Sequence, residues 1–192
     1  MNNLNNKVFI ATGSQDKFAS AVNRLLPFKI KLIQKKLDII EPQEEDIKKV
    51  TISKARQAYE LLGKPVIVSD TGWSIPALKG FPGPFMHFIT KWFTGEDLAR
   101  LCKGIKNRTV IIENVAVYKD AIVEKCFISK RTGILVDIPK GKGVAIDQIA
   151  SFRSDGKTIA QCQQHNLNRF DSNLLNSIWT QFGEWFTKSK DI

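Results

Sequence analysis

The run LysValPheIleAla at 7–11, broken by Thr12-Gly13-Ser14 and followed by Phe18, Val22, Leu25 and Leu26 at helical spacing, constrains this chain more than any other feature. A short apolar run ending at a glycine turn reads as a strand, and apolar residues three to four apart read as one helix face. Strand, tight loop and helix in that order call for an α/β arrangement, because the apolar strand must be covered by something that packs on it. The rest of the pattern agrees. Ile30–Ile33 and Leu37–Ile40 read as further strands. The acidic stretch Glu41–Asp46 leads into a helix with Ile47, Val50, Lys54, Ala58 and Leu61 on one face, closed by Gly63 and Pro65. Val66-Ile67-Val68 is a buried strand running into Ser69-Asp70-Thr71-Gly72, and Leu78–Phe85, with two Gly and two Pro, is a structured loop. Two stretches rich in β-branched residues, Thr109–Tyr118 and Ile122–Lys130, read as an antiparallel pair turning near Lys119-Asp120. Leu167, Phe170, Leu174 and Leu175 suggest a last helix from about Asn166 toward Phe186. With no repeat and no linker, residues 1–192 are expected to form one mixed α/β domain with a cleft.

Composition excludes several classes. At 192 residues and 43% hydrophobic, the chain is too apolar for a disordered tail and long enough for a core. No apolar run approaches the roughly 20 residues that span a bilayer, and the start lacks a basic segment followed by an apolar one. A soluble, cytoplasmic protein is the expectation. Cys102, Cys126 and Cys162 lie too far apart for a zinc or redox motif and read as reduced, mostly buried thiols. The 29 Lys+Arg against 19 Asp+Glu leave a charge of +10, which attracts phosphate. The lysines are scattered in short groups such as Lys35-Lys36, Lys48-Lys49 and Lys140/Lys142, so specific nucleic-acid binding is not expected.

Thr12-Gly13-Ser14 with Lys17 in the first helical turn makes a sensible anion site: the helix start offers backbone N–H groups and a positive dipole end, Gly13 allows close approach, and Lys17 adds a full charge. A capped helix with an exposed lysine explains the same letters. Gly156-Lys157-Thr158 is not a Walker loop, since Ser151 stands where the first glycine is needed. Asp70, read as the C-terminal end of its strand, lies where α/β sheets place ligands, or else caps the Thr71-Gly72 turn. Glu41, Glu44, Glu45 and Asp46 offer oxygen ligands of the kind magnesium takes together with substrate phosphates. For Glu45 and Asp46, an acidic first turn complementing the helix dipole is the simpler reading.

Together these elements resemble the inosine triphosphate pyrophosphatases. The ThrGlySer…Lys loop at 12–17, GluProGln at 41–43, Lys54-Ala55, SerAspThrGly at 69–72 and GlyPheProGlyProPhe at 80–85 stand in that family's order and spacing, with fainter matches at Asn107-Arg108, Arg131-Thr132-Gly133 and Pro139-Lys140-Gly141. The resemblance implies a two-lobed fold around a long mixed sheet, as in ITPase and Maf-like proteins, and a homodimer. It also implies Mg2+-dependent cleavage of non-standard purine nucleoside triphosphates, such as ITP, dITP and XTP, to monophosphate and pyrophosphate. Carried over by position, Thr12, Gly13, Ser14 and Lys17 would hold the triphosphate, Glu41 and Asp70 would hold metal or activate water, Lys54 is the family lysine of the following helix, and Thr71 would contact phosphate.

The departures fall on base recognition. The family's PheGly-aromatic-AspPro segment lies over Val144–Gln148, which keeps Asp147 and loses the aromatic face. Its LysAsn…SerHisArg motif lies over 165–171, where His165 replaces Lys, Asn166 is kept, and ArgPheAsp (Arg169, Phe170, Asp171) replaces SerHisArg. Arg169 is a candidate for the lost Arg, and Phe170 or Phe152 for a new stacking face. His87 takes the place of a phosphate-side lysine, Ser14 of an Asn, and Ser20 of an acid, while Trp73, in place of a smaller residue, reads as core. Three readings follow: an active pyrophosphatase with altered base preference, a nucleotide-binding protein of this fold with impaired turnover, and a pyrophosphatase for modified pyrimidine nucleotides.

Overall fold

The computed structural model describes residues 6–171 and 177–189. Seven strands form one mixed sheet: β1 (Lys7–Ala11), β2 (Lys31–Lys35), β3 (Val66–Ser74), β4 (Pro82–Gly83), β5 (Thr109–Lys119), β6 (Glu124–Leu135) and β7 (Ala150–Ser151). Their order is β2-β1-β3-β5-β6-β7, with β4 paired to β3. β1 runs parallel to β2 and β3, whereas β3/β4 and β6/β7 are antiparallel. The helices are α1 (Gln15–Leu25), α2 (Ile47–Leu62), α3 (Met86–Trp92), α4 (Gly95–Leu101), α5 (Ala145–Ile149), α6 (Ile159–Gln164) and α7 (Ile178–Lys188). The expected mixed α/β class is what is found.

The chain divides into two compact units: one of residues 1–70, 114–129 and 175–192, the other of 71–113 and 130–174. In the first, consecutive strand residues feed different cores. Val8, Ile10, Ile67, Ala116 and Tyr118 pack with α1 and α7 through Ala21, Leu25, Trp179, Phe182 and Phe186. Ala11, Val66, Val68, Val115 and Val117 pack with α2 through Ile47, Ala55 and Ala58. Burial on both faces is why these strands read as unbroken apolar runs rather than alternating ones. Asp120 turns β5 into β6, its carboxylate accepting from the amides of Ile122 and Val123 at 2.8 and 2.7 Å. The second unit packs α3–α6 around Trp73, Ile75, Leu98, Val110, Leu135, Ile146 and Ile149.

Several expectations are corrected. Leu37–Ile40 is not a strand, and the chain from 36 to 46 has no regular structure. On α2 the buried stripe is Ile47, Val50, Thr51, Ala55 and Ala58, while Leu61 is exposed because the stripe continues through Leu62, four residues after Ala58. The last helix begins at Ile178, not near Asn166; Leu167 is exposed and Phe170 packs on Phe152 at 5.3 Å instead. Leu174 and Leu175 lie outside the described residues. β3 continues past Asp70 to Ser74, so Asp70 is not at the end of its own strand. Cys102 and Cys162 are buried and Cys126 half-buried, and none of the three is in a disulfide.

Candidate functional site

The first unit brings together the candidates of the strand-loop-helix opening, Asp70, Lys54 and one acid of the 41–46 segment. β1 stops at Ala11, with Ile10 opposite Ile67 on β3. Counting three residues further along both chains places Asp70 level with Gly13, just past the end of β1. The loop is tied in place by the Thr12 amide donating to the Lys35 carbonyl and by the Gln34 side-chain amide donating to the Thr12 carbonyl. Ser14 caps α1 by accepting from the Lys17 amide, and the Thr12 hydroxyl accepts from the Ser14 amide at 3.1 Å. Nothing in the fold requires glycine at 13: its φ is not left-handed, and an added Cβ would meet only the Lys36 stem at 3.8 Å.

Side chains in a helix lean toward its N-terminus, which sends Lys17 back over the loop. Its Nζ lies 3.4 Å from Asp70 Oδ1. Asp70 shares the α2-facing side of β3 with Val66 and Val68, and Lys54 of α2 meets it there, Nζ to Oδ2 at 2.8 Å. The same Nζ donates to Glu41. Lys54 is well covered, with 14% of its side chain exposed, and Asp70 equally so at 17%. Burial on its own would lower the lysine's pKa, yet the charges and hydrogen bonds of Asp70 and Glu41 together raise it, so Lys54 is a firm cation.

Glu41 comes from the irregular segment by a device the sequence did not announce. The Gln57 side chain accepts from the Ile40 amide at 3.0 Å and donates to its carbonyl at 2.8 Å, pinning the residue before Glu41 onto α2 one turn past Lys54. Glu44, Glu45 and Asp46 do not join the cluster. Glu44 accepts from the amides of Glu45 and Asp46 and pairs with Lys49, and these bonds, the Asp46 amide first, hold its pKa low. Asp46 caps α2 by accepting from the Lys48 amide. Of the four acids, only Glu41 stands with Asp70.

Glu41 and Asp70 are hard oxygen donors brought to one ammonium, a donor set that suits Mg2+. Among the described residues no group of three or more His, Cys, Asp or Glu is placed to hold a metal, so the remaining ligands would be water and phosphate oxygens.

The other candidates belong to the second unit. Thr71 follows Asp70 in β3, so their side chains leave opposite faces of the strand. His87 is exposed on α3, its ring edge-on to Phe88 at 5.6 Å. Asp147 of α5 accepts from Gln163 at 3.1 Å; its burial raises its pKa, opposed by Gln163 and by the charge of Arg169. His165 closes α6, Asn166 adopts a left-handed φ of 52°, and both are exposed, as is Arg169. Asp147, Gln163 and Arg169 therefore form one neighbourhood. Phe152 and Phe170 are not free stacking faces: Phe152 packs on Trp73 at 5.9 Å, and Arg131 covers Phe170 at 4.5 Å. Trp73 is core.

An α/β sheet whose first strand ends in a glycine loop, with two lysines clasping one carboxylate, defines a protein equipped to hold a polyanion. The chain belongs to the Ham1 family, whose profile matches residues 8–173. It is 27% identical over 165 residues to the dITP/XTP pyrophosphatase of Saccharolobus solfataricus, covering 85% of this chain and 86% of that one. It is 33% identical over 189 residues to the dITP/XTP pyrophosphatase of Methanosarcina mazei, covering 94% and 97%. The fold matches the structure of the Staphylococcus aureus Ham1 protein with a TM-score of 0.75 at 21% identity, over 95% of this chain and 99% of that one. Such relatives are hydrolases of acid anhydrides, and the chain is an enzyme of that class. Among the described residues no helix is long and apolar enough to cross a membrane.

Proposed function

We propose that this chain is a nucleoside triphosphate pyrophosphatase that converts non-standard purine nucleotides such as dITP, ITP and XTP to the monophosphate and pyrophosphate, with Mg2+ as cofactor. The observation that carries the reading is the Asp70 carboxylate held between Lys17 and Lys54 beside the 12–14 loop, with Glu41 on the same ammonium. The loop amides, the Thr12 and Ser14 hydroxyls and Lys17 bind the triphosphate, with Gly13 leaving room for it and Thr71 as a further phosphate contact. Glu41 and Asp70 would hold the divalent cation, which would supply Lewis-acid neutralisation of the phosphate oxygens. Asp70 orients the attacking water and takes its proton. Water adds to the α-phosphorus, the α–β anhydride bond breaks, and the bridging oxygen leaves on pyrophosphate, its charge met by Lys17 and Lys54. In the second unit Asp147, His165, Asn166 and Arg169 are the candidates for base recognition and His87 for a phosphate contact. We further propose that residues 1–192 act as one domain, that the enzyme is a homodimer, and that it works in the cytoplasm on free nucleotides.

The test is a panel of ITP, XTP, dITP, GTP, ATP, UTP and modified pyrimidine triphosphates with and without Mg2+, scored for pyrophosphate and monophosphate. Metal-dependent pyrophosphate release highest with the 6-keto purines is expected. Preference for a modified pyrimidine would correct the substrate, and no release from any of them would leave a binding protein in place of an enzyme.

A further inference from the structure

The same ammonium that joins Glu41 to Asp70 stands where those two carboxylates converge. Lys54 Nζ is within hydrogen-bonding reach of an oxygen of each, and with so little of its side chain exposed, these carboxylates take the place of its water shell. Asp70 Oδ2 faces Lys54 at 2.8 Å and Oδ1 faces Lys17 at 3.4 Å, while 60% of the Glu41 side chain is exposed, so what disfavours a bare cation here is the compensated charge and not a lack of lone pairs. Two lysines and two carboxylates cancel, so a free divalent cation approaching the cluster meets no net negative charge, and the whole chain at +10 repels it. Among the described residues no third His, Cys, Asp or Glu joins them to hold a metal. Magnesium sheds water reluctantly and is ordinarily held by one or two carboxylates together with substrate phosphates, so without the triphosphate these two carboxylates supply only part of what holds it.

A metal–triphosphate complex meets a different situation. It still carries net negative charge, so the lysines and the chain's surplus charge attract it. Its phosphate oxygens also give Lys54 and Lys17 new charge-assisted partners to exchange for the carboxylates. We propose that Lys54 is the resident counter-cation of this site, keeping Glu41 and Asp70 closed to free divalent cation, so that metal enters only with the triphosphate as Lys54 passes from carboxylate to phosphate. This rests on the functional reading above and adds an order of binding to it. Lys54 thereby acts as a gate on metal occupancy as well as a charge that meets the leaving group.

The experiment is Mn2+ binding followed by electron paramagnetic resonance on the full chain. Wild type is titrated with Mn2+ alone and then with the α,β-methylene analogue of ITP present; Lys54→Met is titrated with Mn2+ alone. Wild type is expected to leave Mn2+ free in solution until the analogue is added. Lys54→Met is expected to hold Mn2+ without nucleotide, tighter than wild type by about tenfold or more, since one cation has been removed from contact distance of both carboxylates. Stoichiometric Mn2+ binding by wild type alone, with pyrophosphate release from ITP intact, overturns the gate and leaves the functional reading standing. So does a folded Lys54→Met that binds no tighter than wild type. If that variant does not fold, the two wild-type titrations decide by themselves. Failure of any triphosphate to bind or react overturns the functional reading, and the gate falls with it.

Discussion

Replacing Asp70 by Asn keeps the shape and one acceptor oxygen while removing the charge that two lysines share. At 2.8 Å the Lys54 contact is worth about 6 kcal/mol of gross attraction at an effective dielectric near 20, and the 3.4 Å Lys17 contact about 5 kcal/mol. The second figure is heavily discounted, because 40% of the Lys17 side chain is in water, where exposed pairs contribute little. The first is offset by desolvation of both groups, and in the variant Lys54 retains Glu41 and a neutral amide oxygen. The net loss is therefore about 2 kcal/mol, below the usual cost of orphaning a buried charge. For a chain of this size that lowers Tm by about 4–8 °C. On the roles proposed above for Asp70, activity should suffer far more, since loss of a general base costs on the order of 10²–10⁴ in kcat/KM. The assays are thermal melting at pH 7 and pyrophosphate release from ITP with Mg2+, with Lys17→Ala alongside as the weaker perturbation of the same cluster. An Asp70→Asn enzyme within about twofold of wild-type rate would refute the assignment of Asp70. An unchanged Tm would refute the strength given to the Lys54 contact.

Three further outcomes are expected. Gln57→Leu loses both bonds to Ile40, costing about 1–2 kcal/mol, and by freeing Glu41 it raises KM for the metal–nucleotide complex more than it lowers kcat, which steady-state kinetics would separate. Asp147→Asn stabilises the protein at neutral pH: burial raises the Asp147 pKa, so wild type loses stability as pH rises from the unfolded value of 3.8 through the higher folded one. The variant's advantage in Tm should vanish below about pH 3.8, where the acid is protonated in both states, and an advantage that persists there would contradict the sign. Gly133→Ala places a Cβ 2.3 Å from the Ser151 carbonyl oxygen and 2.8 Å from the Phe152 ring, so chemical denaturation should show a loss of about 1–3 kcal/mol.

The opening strand-loop-helix, the α2 helix and its glycine stop, and the β5–β6 hairpin were legible because each prints a period or a turn over enough residues to be read. The four short helices of the second unit span only five to seven residues each, too few turns for an apolar stripe to repeat. Leu37–Ile40 has the composition of a strand, but the chain there is held by Gln57 from α2 rather than by a sheet neighbour. In the site, Lys17 and Asp70 were visible as a charged residue on a helix start and a carboxylate after an apolar run. That they meet depends on Asp70 standing three residues past Ile67, the partner of Ile10, which is a matter of register. Gln34, Lys36 and Gln57 were missed because a polar residue that grips a distant backbone or flanks a loop looks, in sequence, like any other surface residue. Phe170 was read as a possible ligand platform; Arg131 and Phe152 already occupy it.

The double-sided burial of the central strands has a consequence during synthesis. A segment with no solvent-facing position has nowhere to carry a charge that would keep it from pairing with its own kind before the sheet is complete, and ValPheIleAla and ValIleVal have the make-up of cross-β seeds. The deterrents stand at the ends instead: Lys7 and the Thr12-Gly13-Ser14 break bracket the first, Lys64-Pro65 and Asp70 the second. Asp70 and the loop thus stand where gatekeeper charges and chain breakers flank unavoidable apolar strands. Variants that neutralise them are expected to yield less soluble protein in the cell than their melting temperatures alone indicate.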